Sequence, residues 1–139
     1  MQNKQLSSNL KLLEKMDGMQ KSLEEIKNIT SFDAILYSAK GKHLTGTVEE
    51  PEHSDIFVKE FIVSEEDVRE KNDAIAFAVE IDSELEYVLV MFCQYTSENL
   101  VIGRWQFVSF VHLCLVSQSD MTEIILFRIF FLAICLVLI

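Results

Sequence analysis

The fold is decided by residues 74–95, whose sequence is AIAFAVEIDSELEYVLVMFCQY. Side chains alternate along its first eight residues, so that one face holds Ala74, Ala76, Ala78 and Glu80 and the other holds Ile75, Phe77, Val79 and Ile81. A period of two with the large side chains on one side is typical of a strand whose bulky face packs on a core. Asp82-Ser83-Glu84 supplies a short turn, and Leu85–Tyr95 continues as a second strand. The stretch therefore predicts an antiparallel hairpin.

A second hairpin is predicted upstream, over residues 32–48. Phe32–Ala39 and His43–Val48 are rich in strand-forming residues, and Lys40-Gly41-Lys42 supplies the turn between them. A glycine inside a strand indicates a bulge or a close approach of another backbone. We therefore expect one of these two features at Gly46.

The region between the two hairpins combines a loop, an apolar run and a capping motif. Glu49–Asp55 is rich in acids and contains the single proline, which predicts a solvated loop. Ile56–Val63 predicts a strand. Ser64-Glu65-Glu66-Asp67 joins a capping hydroxyl to acids that favour the positive end of a helix dipole, so it predicts a short helix over Glu65–Lys71.

An amphipathic helix is predicted over residues 1–30. Its apolar residues recur at alternating spacings of four and three, which is the heptad pattern of a coiled coil; they are Leu12, Met16, Met19, Leu23 and Ile26. This stripe, called the seam below, also contains Gly18, which costs about 1 kcal/mol of helix stability relative to alanine. Two interpretations stay open, because the seam can pack on its own domain or bind a partner protein or a second copy.

Together these elements predict an α+β fold with an N-terminal amphipathic helix, an antiparallel sheet of about five strands, a short helix and a hydrophobic C-terminal helical tail. We expect the helices on one face of the sheet. The predicted organisation is an amphipathic helix or short coiled coil over residues 1–30, a small acidic α+β domain over residues 31–103 and a hydrophobic tail over residues 104–139. The order of helix, strand, glycine turn and strand is similar to that of small sensor and light-chain-like α+β modules, and no residue motif identifies a family.

The distribution of charged and apolar residues changes abruptly near Gly103. From residue 104 onward the charged side chains are Arg104, Asp120, Glu123 and Arg128, so residues 1–103 carry the whole net charge of −10. Arg128 is the only charged residue among residues 124–139. A helix of that length reaches about 24 Å, somewhat less than the roughly 30 Å hydrocarbon core of a bilayer. An earlier apolar run, Trp105–Val116, suits the membrane interface.

The tail therefore predicts a membrane anchor, formed by Ile124, Leu126, Phe127, Phe130, Phe131, Leu132, Leu136 and Ile139. Two alternatives stay open. The tail can instead be a final strand and helix that cover the sheet, with its apolar composition explained by burial. An abrupt change of composition is also what an alternative reading frame would encode.

The acidic composition argues against nucleic acid as a partner. The pI is near 4.7, whereas binding to phosphates needs clustered lysine and arginine. The first thirty residues hold no apolar stretch of signal-peptide length, which predicts a cytoplasmic protein, with the tail holding it on the cytosolic face of a membrane.

No arrangement of residues typical of catalysis or of metal binding is present in the sequence. The histidines His43, His53 and His112 are not spaced as metal ligands on one helix. The cysteines Cys93, Cys114 and Cys135 lie in apolar surroundings, which raise rather than lower the pKa of a thiol. We therefore expect no enzymatic activity, no cofactor and no metal.

The sequence by itself favours a non-catalytic interaction or adaptor protein, tail-anchored with its acidic domain in the cytosol. The expected partner is a protein, or a second copy, bound through the N-terminal helix. The alternative hypothesis is a soluble subunit of a coiled-coil assembly with a buried or non-native tail. A small-ligand sensor is the third.

Overall fold

A computed structural model describes residues 2–115 of the chain, with side chains from residue 15 to residue 114. Three helices and five strands make up this part. In chain order they are α1 (Gln2–Thr30), β1 (Asp33–Ser38), β2 (His43–Gly46), α2 (Ser54–Ser64), β3 (Val68–Glu70), β4 (Ile75–Ile81), β5 (Glu84–Phe92) and α3 (Ser97–Leu115). The predicted α+β class is confirmed.

The five strands form one antiparallel sheet in the order β2-β1-β5-β4-β3. Its centre is the predicted hairpin of β4 and β5, in which Phe77 lies opposite Leu89. Strand β5 also pairs with β1, so the two predicted hairpins join into one sheet. Both hairpins and the five-stranded antiparallel sheet are therefore confirmed.

Helices cover both faces of the sheet, so the prediction that they lie on one face is wrong. Helices α1 and α3 pack on the face that carries Ile75, Phe77 and Val79. Helix α2 packs on the opposite face, against Ala74 and Ala76. The small side chains that β4 presents on that second face leave room for a helix, and the result is a three-layer arrangement.

Residues 56–63 form most of helix α2, and the predicted strand there is wrong. The side chains of Ser54, Phe57, Val58 and Phe61 are buried, at the spacing of one face of a helix, while Lys59 and Glu60 are exposed. Valine, isoleucine and phenylalanine favour strands locally. Burial of a helical face against the sheet outweighs that preference, which amounts to less than about 1 kcal/mol per residue.

The helix predicted over Glu65–Lys71 is also wrong, because Ser64 ends the preceding helix instead of starting a new one. The Ser64 hydroxyl donates to the carbonyl of Phe61 (2.6 Å) and accepts from the amide of Glu66 (3.3 Å). Glu65 has a left-handed backbone with φ 57 and donates its amide to the Ile62 carbonyl, which terminates α2. The chain then enters the short edge strand β3.

Gly46 makes the close backbone approach that the sequence indicates. A Cβ atom at this position would lie 2.8 Å from Cγ1 of Ile35 and 3.1 Å from the carbonyl oxygen of Ala34. Only glycine fits against β1 at that distance, which explains its place at the end of β2.

Polar contacts tie α1 to the first hairpin. The Lys27 ammonium lies 2.7 Å from Oδ1 of Asp33, and the Thr47 hydroxyl donates to the same carboxylate. The hydrogen bond from Lys27 holds the pKa of Asp33 below its usual value. These contacts fix the direction in which the chain leaves the helix.

Helix α3 passes through the boundary predicted between residues 103 and 104. The Thr96 hydroxyl accepts a hydrogen bond from the amide of Asn99 (3.0 Å) at the start of this helix. At Gly103 a Cβ atom would lie 3.2 Å from the ring of Phe77, so glycine lets α3 approach β4 closely. The change of composition at this point therefore falls in the middle of a helix.

Candidate functional site

The structure places the residues of the seam against the sheet of their own domain. Met19, Leu23 and Ile26 are 0–2% exposed and belong to the core cluster that contains Leu36, Phe77 and Leu89. Met16 packs at the edge of this cluster. The side chain of Leu12 lies outside the described residues. In residues 16–26 the seam thus has its own sheet as a partner, and binding of a second protein through the seam stays a prediction.

The eight residues of the predicted membrane anchor, Ile124, Leu126, Phe127, Phe130, Phe131, Leu132, Leu136 and Ile139, lie outside the described residues. The described part of the earlier apolar run belongs to α3. Gln106 and Phe110 in this helix are fully buried in the domain. In residues 2–115 no helix combines the length and the apolar composition needed to cross a bilayer.

The candidate catalytic side chains do not converge in the described part of the chain. His43, His53 and His112 lie in β2, at the start of α2 and in α3. Among the described side chains, no group of three His, Cys, Asp or Glu residues comes close enough to hold a metal ion. Burial raises the pKa of the Cys93 thiol to about 11, which keeps it protonated and a poor nucleophile at neutral pH.

The buried pair of Tyr37 and Ser54 joins the sheet to the start of α2. The tyrosine hydroxyl lies 2.8 Å from Oγ of Ser54, and both residues are buried. Burial raises the pKa of Tyr37 to about 12, with the hydrogen bond to Ser54 opposing the shift and the nearby Glu50 and Asp55 adding to it. The phenol therefore stays neutral at physiological pH and serves as a structural contact.

The groove between α3 and the β3–β4 edge of the sheet is the candidate site. Its walls are mainly apolar and its volume is about 380 Å³. The lining residues are Asp67, Val68, Phe77, Ala78, Glu80, Arg104, Phe107, Val108 and Val111. This lining set defines what is called the groove below.

Two features of the fold create the groove. First, β3 is only three residues long and pairs with β4 only as far as Phe77, so that the sheet narrows beyond this point. The amide of Ala78 still donates to the carbonyl of Asp67 (2.9 Å). Second, the ring of Phe107 stacks on that of Phe77, with centroids 5.1 Å apart, which holds α3 over β4. The groove is the space left beside this stacked pair.

Its apolar wall is only partly covered. Val108 is 51% exposed, and Val68, Phe107 and Val111 are partly buried. The charged residues of the rim are Asp67, Glu80 and Arg104, all exposed. The groove therefore presents an apolar floor between two acids and one base, which is the composition of a binding cleft.

Sequence reasoning missed the groove for two reasons. The division of the chain after Gly103 assigned one wall to the tail, and the helix predicted over Glu65–Lys71 replaced the strand that forms the other wall. A clue was present, because Arg104, Phe107, Val108 and Val111 lie at spacings of three, four and seven and so share one helical face. Which element faces that side of the helix was decided only by the fold.

The fold and the groove together define a three-layer α+β module with an apolar cleft at one edge of its sheet. Comparison with known proteins adds no relative, since no family model, no curated protein and no solved structure matches the chain.

Proposed function

We propose that the protein is a non-catalytic interaction protein that binds a protein partner. The observation that supports this proposal is the groove, where an apolar wall including the half-exposed Val108 lies open between charged residues. Burial of such a wall supplies about 25 cal/mol per Å² of apolar surface, while the charges on the rim select the partner.

The expected partner presents an apolar segment flanked by basic residues. Asp67 and Glu80 place two negative charges on the rim against the one positive charge of Arg104. The whole chain carries a net charge of −10, which favours the approach of a basic partner over that of an acidic one. The buried part of the seam takes no part in this interaction. A partner that binds through the seam would have to contact the N-terminal part of α1.

Membrane association through Ile124–Ile139 is the second part of the proposal. One arginine in sixteen otherwise uncharged residues supports it. On this proposal the acidic module lies on the cytosolic side and the tail holds it at the bilayer. The alternative, a subunit of a coiled-coil assembly, keeps the same module and assigns binding to the N-terminal part of the seam.

A small-ligand sensor is a further candidate, which one observation favours. The groove volume of about 380 Å³ falls within the range of about 300–1,000 Å³ that is typical of small-molecule sites. Its shallow, partly exposed wall favours a peptide segment over an enclosed ligand.

The experiment compares Val108→Glu with Val63→Glu in the full-length protein. Val108 is 51% exposed in the groove, and Val63 is 82% exposed on α2 at the opposite face of the sheet. Glutamate at position 108 lies four residues after Arg104 on the same helix. Opposite charges at this spacing do not weaken the helix and can stabilise it slightly. Both variants are therefore expected to fold.

Quantitative affinity purification from cells is then run with the wild type and both variants. We expect a defined protein to be recovered with the wild type and Val63→Glu and to be lost with Val108→Glu. Equal recovery of every co-purifying protein with all three baits would contradict a partner site in the groove.

A further inference from the structure

The groove lies beside the point where the described part of the chain ends. Val111 lines the groove, and α3 reaches Leu115 one helical turn later. Along the helix the groove residues run from Arg104 to Val111, which is about 10 Å. Residues 116–139 follow directly, and 24 residues are many more than are needed to return along that distance.

The composition of residues 116–139 matches the apolar wall of the groove. Of these 24 residues 17 are apolar, and from Ile124 to Ile139 the only charged residue is Arg128. In water such a segment is driven to cover its apolar surface. Phe107, Val108 and Val111 form partly uncovered apolar surface in the helix that leads into this segment.

The segment and the rim each carry two acids and one base, so each holds charges opposite to charges of the other. Arg128 is the single base of the segment, and Asp67 and Glu80 are the acids of the rim. Asp120 and Glu123 are the acids of the segment, and Arg104 is the base of the rim. Complementary charges of this kind set which segment binds and in which register.

A segment of the same chain also has a concentration advantage over a separate molecule. A short connection gives a tethered segment an effective concentration of the order of millimolar. A second copy or a foreign peptide must reach that concentration in solution to compete.

We propose that the groove is the docking site of the chain's own C-terminal segment, residues 116–139, which competes there with a separate partner. The proposal rests on the proposed function, since it names an occupant of the same groove. In this proposal Val108 contacts the docked segment, and Arg128 of the segment pairs with the acidic residues of the rim.

The test is disulfide cross-linking within the full-length protein, because Cys135 lies in the segment itself. Cys93 and Cys114 are replaced by alanine, Cys135 is kept, and Val108→Cys is added on the groove. The matched control carries Val63→Cys, which is more exposed but lies on α2 at the other face of the sheet. A disulfide requires Cα atoms within about 7 Å, so its formation reports contact.

We expect Val108→Cys to form an intramolecular bond with Cys135 under mild oxidation at least about tenfold faster than Val63→Cys, since docking raises the local concentration of the two thiols. The linked peptides are identified by mass spectrometry. Arg128→Glu in the same background should slow the bond several-fold, because it adds a negative charge beside Asp67 and Glu80.

Equal rates for Val108→Cys and Val63→Cys would overturn the proposal, as would a bond that forms only between two chains, which would make a second copy the occupant. An unchanged rate with Arg128→Glu would overturn the assigned register. The purified protein contains no partner, so failure here leaves the purification experiment with Val108→Glu to decide the proposed function separately.

Discussion

Two glutamines differ in how their side-chain amides are bonded. The amide nitrogen of Gln20 donates to Glu24 (3.2 Å) and to the carbonyl of Gly46 (3.1 Å), and its oxygen accepts from Thr45. Gln106 is fully buried, and neither its amide nitrogen nor its amide oxygen has a hydrogen-bond partner among the described residues. A buried polar group without a partner costs about 1–3 kcal/mol, so Gln106 lowers the stability of the fold.

Gln106→Met should therefore stabilise the protein. Methionine has a similar length and removes both unsatisfied atoms, and we expect the free energy of unfolding to rise by about 1 kcal/mol or more. Gln20→Met is the matched control and should lower it, because that change removes bonds between α1 and β2. Urea unfolding measures both. A destabilised Gln106→Met variant would mean that the carboxamide is bonded, for example by an ordered water.

The pKa of Tyr37 makes stability depend on pH in the alkaline range. An unfolded tyrosine titrates near pH 10, and the folded pKa is about 12. Below pH 10 both states bind the proton and the contribution of Tyr37 is constant. Between about pH 10 and 12 the unfolded state loses the proton first, so stability falls as pH rises, by about 2–3 kcal/mol in total.

Tyr37→Phe should remove this dependence. The variant loses the bond to Ser54, which costs about 1 kcal/mol at neutral pH. Its free energy of unfolding should then fall less steeply than that of the wild type between about pH 10 and 12. Parallel pH profiles in urea titrations would show that the tyrosine does not titrate differently on folding.

The backbone is strained at the C-terminal end of helix α2. Glu65 has φ 57, a left-handed backbone that glycine adopts without steric cost, and its carboxylate lies at the negative end of the helix dipole. Glu65→Gly should therefore stabilise the protein by about 0.5–1 kcal/mol. Glu66→Gly is the control and should give no gain, since it removes a carboxylate 3.2 Å from Nε of Arg69. Thermal unfolding distinguishes the two.

The seam on α1 forms part of the hydrophobic core. Met19 and Leu23 are 2% and 0% exposed against the sheet. Replacing both with glutamate buries two charges without partners. Each such change in a core costs about 2–5 kcal/mol, so we expect loss of the folded state. Circular dichroism and sedimentation of the purified variant measure the outcome. A folded variant that has lost only an oligomeric state would show that the seam is an interface between molecules.

At the scale of the whole molecule, α3 determines where the chain can be shortened. A chain that ends at Gly103 lacks Gln106, Ser109, Phe110 and Leu113, all of which are buried in the domain. We expect that variant to unfold, since the bulky face of β4 loses its cover. A chain that ends at Leu115 keeps these side chains and should fold.

The variant that ends at Leu115 then tests the membrane proposal. The full-length protein should stay with the membrane fraction after carbonate extraction, and the shortened chain should be released, because only the former carries the apolar residues 124–139. Release of both proteins into the supernatant would contradict a membrane anchor.

The elements that could be predicted from the sequence are those with a regular local pattern. Alternation over residues 74–81 and the glycine turn at Gly41 placed both hairpins, and the isolated Gly46 marked a close approach of two strands. The run from Ile56 to Val63 failed, because valine, isoleucine and phenylalanine suit a buried helix face as well as a strand. The groove could not be predicted either, since its two walls lie about forty residues apart in the chain.

Local spacing and composition were enough to predict the α+β class, the antiparallel hairpins, the bulky face of β4 and the separation of charged from apolar residues along the chain. Three features depend on tertiary contacts instead: α2 is a helix on the second face of the sheet, the seam from Met19 to Ile26 packs in the core, and α3 crosses the change of composition to form the groove. In each case two or more local conformations bury the same apolar side chains, and the surface available in the rest of the fold selects among them.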